Sequence, residues 1–146
     1  MVVLKHCTNE QLQEWAATQW EQLKTYLQQT TEFLPAEHRS LGFEDGGIQL
    51  LGGSVTIVPQ VYQAKSIGGI REMPGWEVSS WKHEPETEYY PADFVPVEEK
   101  QTTSTLSAAV VATKLAFEIL LDDWASREHD KQAAGEVKEW KDQGLI

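Results

Sequence analysis

Four histidines and a single cysteine are where acid–base, nucleophilic or metal chemistry would first be sought in this 146-residue chain. His6, His38, His83 and His129 are scattered, and no HxxxH or HExxH pair falls on a helix-patterned segment. A zinc site would therefore need assembly from distant segments, and the histidines read as separate surface residues. Cys7 follows His6, but neighbours in sequence rarely face one another. It precedes a helix and does not sit in an evident pocket, so an inert or half-buried thiol is expected. Phosphate-cradling GxxxxGK[ST] and GxGxxG patterns are absent, as is a GxSxG elbow, so the glycine pairs at 46–47, 52–53 and 68–69 read as turns. Glu118 and Asp122 lie one helical turn apart with Asp123 adjoining, the makings of a weak cation site at most, and Lys114 on the same stripe gives them a charge partner, as on a solvated face. No catalytic residue, cofactor site or metal site is assigned.

Residues 84–99 are different. They hold six acids (Glu84, Glu86, Glu88, Asp93, Glu98 and Glu99) and no Lys or Arg, with Tyr89, Tyr90 and Phe94 interleaved and Trp76 and Trp81 on the preceding segment. Carboxylates around aromatic anchors suit capture of a basic protein: aromatics supply buried area, carboxylates supply steering and register. Trp81, Glu84, Glu86, Glu88, Tyr89 and Asp93 are the candidate partner-binding residues. The competing expectation is that Trp76, Tyr90 and Phe94 point inward as core, leaving an ordinary acidic outer face.

The elements that must position these residues follow from periodicity. Thr8 and Gln11 have capping-box spacing, and Leu12, Trp15, Ala16, Trp20, Leu23 and Leu27 recur at helical steps, predicting a helix over 8–29 that Pro35 cannot continue. Residues 48–51 and 54–58 predict two strands joined by a Gly52-Gly53 turn, with Pro59 marking an edge or bulge. Residues 76–83 and 89–97 predict a second hairpin about a turn at 84–87, its return strand made irregular by Pro91 and Pro96. A second helix is predicted over 104–125, with Leu106, Val110, Thr113, Phe117, Leu120 and Trp124 at helical spacing. Val111, Ala112, Leu115 and Ile119 make its other side apolar as well, as in a central core helix or one half covered by another chain. The segment 126–146 is a docked helix, a continuation of that helix or a projecting arm, with Gly135 as a break.

The fold expectation is thus a single α+β domain: an N-terminal helix, an antiparallel sheet of about four strands built from two hairpins, and a long C-terminal helix packed on one face. Apolar residues make up 40% of the chain, enough for a core without staples. One cysteine allows no internal disulfide, the first residues do not resemble a signal peptide, and the apolar run 106–121 is too short and too charged to span a bilayer, so the expected location is cytoplasmic. The net charge of −11 disfavours nucleic acid and anionic membranes and favours a basic protein partner.

The leading functional expectation is a non-enzymatic acidic binding module, of the inhibitor or immunity type, that occludes a basic partner. The first alternative is a homo-oligomeric assembly subunit, a homodimer through helix 104–125 that a charge at Val111 or Leu115 would break. The second is an enzyme whose site is assembled from distant segments.

Overall fold

A computed structural model describes residues 2–44 and 46–142. The fold is α+β, with an N-terminal helix, a mixed six-stranded sheet and a long C-terminal helix. It divides into two compact units, Met1–Ala116 and Phe117–Ile146.

The first unit begins with a short strand, β1 (Val3–Lys5), and then helix α1 (Asn9–Thr30). The expected capping box is formed: Gln11 N donates to Thr8 Oγ1 at 3.2 Å, and Thr8 N donates to Gln11 Oε1 at 3.0 Å. At the other end Thr31 Oγ1 donates to the Leu27 carbonyl at 2.6 Å, the same carbonyl that accepts the Thr31 backbone N–H. Leu12, Ala16, Leu23 and Leu27 form the buried stripe.

The sheet follows as β2 (Leu41–Glu44), β3 (Gly47–Leu50), β4 (Val55–Ser66), β5 (Gly69–Glu84) and β6 (Asp93–Thr102). Its order is β1-β5-β4-β3-β2, with β6 paired to the far half of β5. Five strands run as antiparallel neighbours. The sixth, β1, pairs parallel with β5 through Val3–Ile70 and Lys5–Arg71, so the sheet is mixed and not the purely antiparallel four strands expected. Both additional strands are short. β1 is three residues and β2 four, too few for alternation to register as a pattern. Between β3 and β4 the chain reverses through Leu51, Gly52 and Gly53, all at positive φ; glycine adopts that region without strain. Pairing of β3 with β4 ends at Ile57, so Pro59 lies where β4 has lost that neighbour, the local edge its missing N–H requires.

Val55, Ile57, Trp76 and Val78 lie on the sheet face that meets the helices. Trp76 is 1% exposed and sits against Trp15 and Trp20 of α1, with ring centroids 5.1 and 5.8 Å apart. Of the three aromatics expected as core on the competing reading, Trp76 is one: its indole fills the core.

Helix α2 is Thr105–Asp142. In the first unit its residues Thr105, Ala108, Ala109, Ala112, Thr113, Leu115 and Ala116 are buried, whereas Leu106 and Val110 are exposed. Small residues let a helix backbone approach its neighbours closely, so the alanine-rich side is the packed one. Leu115 is therefore a core residue and not an outward contact for a second chain. In the second unit Phe117, Leu121 and Trp124 are exposed, and the helix carries the ion pairs Arg127–Asp123 (3.2 Å) and Lys131–Glu128 (3.4 Å). It runs through Gly135 without a break; one glycine costs a helix only about 1 kcal/mol relative to alanine. Of the expectations for 126–146, continuation of the preceding helix describes the chain to Asp142, and residues 143–146 lie outside the described residues. Among the described residues no helix is long and apolar enough to cross a membrane.

Candidate functional site

The acidic segment forms the far end of the β5–β6 hairpin. β5 carries Trp81 and Glu84, β6 begins at Asp93, and Pro85 to Ala92 connect them. The return strand thus starts four residues later than the 89–97 pattern predicted. A closed turn prevents pairing earlier: Thr87 N donates to the Tyr90 carbonyl at 2.8 Å, and Tyr90 N donates to Thr87 Oγ1 at 3.1 Å, with Pro91 following. Asp93 Oδ1 accepts from Phe94 N at 2.8 Å, which fixes that carboxylate at the strand entrance.

This geometry turns the aromatics outward. Tyr89 is 82% exposed, Tyr90 75% and Phe94 50%. Trp81 is half-buried and anchored, its Nε1 donating to Thr56 Oγ1 of β4 at 2.8 Å. Glu84, Glu86, Glu88, Asp93, Glu98 and Glu99 are all exposed, and among the described residues none is in an ion pair. Glu84 stands directly across the ladder from Asp93. Like charges at opposed positions destabilise a hairpin, so this end of the sheet is electrostatically unfavourable on its own.

The outer edge of β6 is guarded against strand addition. Register slips between Ser80 and Trp81 so that Ser80 opposes Glu98 and Trp81 opposes Pro96, leaving Val97 as the bulged residue. A bulge, a proline and charged side chains are the devices by which proteins blunt a free edge. Backbone pairing with an added strand is thereby disfavoured at this edge.

Of the six candidate residues, Glu84, Glu86, Glu88, Tyr89 and Asp93 gather at this exposed end, and Trp81 lies three residues back along β5. The aromatics divide: Trp76 is core, while Tyr90 and Phe94 are not.

A second cluster escaped the sequence reading. Glu72 Oε1 accepts from Cys7 N at 3.3 Å and lies 3.1 Å from His6 Nδ1, beside a cleft also lined by Lys5, Gln11 and Pro74. Glu72 is more than sixty residues away in sequence, so nothing near Cys7 signalled it. Its carboxylate holds the turn between β1 and α1 to β5. Among the described residues no group of three or more His, Cys, Asp or Glu side chains is arranged to hold a metal ion.

Comparison with protein-family models, curated proteins and solved structures gives no match to this chain.

Proposed function

We propose that the protein is an acidic binding module that captures a basic protein partner through the end of its β5–β6 hairpin, in the manner of an inhibitor or immunity-type protein. The observation that carries this reading is the exposure of Tyr89, Tyr90 and Phe94 among six carboxylates that lack ion-pair partners among the described residues, two of them, Glu84 and Asp93, opposed across the ladder. A cationic side chain placed between Glu84 and Asp93 would relieve their repulsion, and the flanking aromatics would supply the buried area that charge alone does not. The net charge of −11 adds long-range steering toward such a partner. A cytoplasmic location accords with the lone cysteine.

Tagged capture from source-cell lysate at low and high salt, with bound proteins identified by mass spectrometry, tests the reading. The expected result is one basic protein, retained at low salt, weakened at high salt, and lost when Glu86, Glu88 and Asp93 are all replaced by Lys. A partner that binds the triple variant as tightly as the wild type would remove this surface from consideration.

A further inference from the structure

The sheet of the first unit has one face against the helices and one that is not packed into the core. Strand alternation puts Thr56, Val58, Tyr62 and Ala64 of β4 on the second face, together with Arg71, Met73, Glu77 and Trp81 of β5. The Trp81–Thr56 hydrogen bond confirms the shared side. Val58, Tyr62, Ala64, Glu77 and Trp81 are only half-buried there, and Arg71 and Met73 are exposed. Neither the Arg71 nor the Glu77 side chain has a hydrogen bond or ion pair among the described residues, although Glu77 is half-buried.

The order of these residues along the strands is self-complementary. Arg71 pairs in register with Ala64, and Glu77 with Val58, at equal distances on either side of Pro74. A two-fold axis lying in the plane between two such faces, perpendicular to the strands and crossing β5 at Pro74, sets Arg71 of one copy against Glu77 of the other, twice. The same operation sets Val58 against Ala64, and Trp81 against the turn at Ile67, which is fully exposed. We propose that this open face is a homodimer interface, in which two copies pack their sheets face to face with β5 antiparallel to β5.

The geometry agrees with a second copy as the occupant. Under this operation β4 and the Gly69–Ser80 part of β5 face their own copies over twelve residues, about 40 Å by about 10 Å, so roughly 400 Å² of sheet is covered per copy, the size of a weak, concentration-dependent contact. Aligned packing of two sheets is one of the two standard arrangements, and a closed two-fold pair is the commonest symmetry.

Sedimentation velocity on the full chain from micromolar to millimolar concentration tests the proposal. The wild type is expected to shift from monomer to dimer and to stop there. Arg71→Glu and Glu77→Arg each place like charges at both symmetry-related contacts and are expected to raise the dimer dissociation constant at least ~10-fold, because juxtaposed like charges at an interface are costly. An equimolar mixture of the two variants restores opposite charges at both contacts, so it is expected to recover the dimer as a heterodimer; that recovery also shows that both variants fold. Val110→Asp, on α2, is expected to leave the dimer intact. A wild type that stays monomeric at millimolar concentration overturns the proposal. So does a dimer that dissociates with Val110→Asp but is indifferent to both charge reversals.

Discussion

The indole N–H of Trp76 donates to Thr105 Oγ1 at 3.1 Å, and that hydroxyl donates in turn to Gln19 Oε1 at 2.9 Å. One short relay thus joins the sheet, the start of α2 and the middle of α1. It also solves a burial problem: Trp76 supplies the largest fully buried side chain of the core, and its single polar atom needs a partner there. Thr105→Val keeps the shape and removes the acceptor. The expected loss is about 1–3 kcal/mol, the cost of leaving a buried donor unsatisfied. Urea denaturation would register it as a lower midpoint at unchanged slope. An unchanged midpoint would mean that water replaces the hydroxyl.

The two sides of α2 should respond oppositely to added bulk. Ala112 is fully buried, so Ala112→Leu must push methylenes into a filled space and is expected to cost about 1–3 kcal/mol. Val110 is half exposed two residues away, so Val110→Lys is expected to stay within about 0.5 kcal/mol of the wild type. Thermal unfolding of the pair separates the two sides directly. Equal losses would place Val110 in a packed contact.

That contrast marks where sequence reading succeeds and where it stops. Helix α1 was legible because its signals are local: Thr8 and Gln11 satisfy each other's backbone, and its buried leucines recur on one stripe. The turn between β3 and β4 was legible because Gly52 and Gly53 supply the backbone freedom it needs. In α2 the larger apolar residues Leu106, Val110 and Phe117 drew the periodicity argument, yet Ala108, Ala109 and Ala112 form the packed side, since close approach rewards small volume more than hydrophobicity. Long-range pairings left no trace. β1 finds β5, and Glu72 finds Cys7, across more than sixty residues. At the acidic hairpin, alternation identified a strand but could not say which face was inward, so Trp76 and Tyr90 looked equivalent until the packing separated them.

Glu72 offers a direct measure of one such long-range contact. Its carboxylate accepts from Cys7 N, beside β1, and the Ile70 amide donates to the Val2 carbonyl at 2.9 Å along the same junction. Glu72→Ala is expected to cost about 1 kcal/mol, in the range of one lost hydrogen bond. Because β1 is only three residues long, much of that loss should appear as local opening. Amide exchange at Ile70 is therefore expected to accelerate more than exchange at Val78 in the centre of the sheet. Uniform acceleration would show instead that β1 opens only with global unfolding.

The opposed carboxylates of Glu84 and Asp93 give the sharpest link between stability and function. In the unbound protein their repulsion is unrelieved by any ion pair among the described residues, and screening by salt should weaken it. Glu84→Lys turns repulsion into attraction, so it is expected to stabilise the protein by about 0.2–1 kcal/mol at low ionic strength. Added salt should then raise the urea midpoint of the wild type more than that of the variant, which keeps a strongly negative net charge but loses this repulsive pair. Binding is expected to move the other way: a lysine at 84 occupies the place of the partner's cation, lowering affinity while the fold gains stability. Proteins commonly retain such locally unfavourable arrangements where a partner relieves them. A Glu84→Lys variant that binds its basic partner undiminished would show that the pair is an unremarkable feature of an exposed hairpin end. One that loses both stability and binding would place Glu84 in a structural role that its exposure does not suggest.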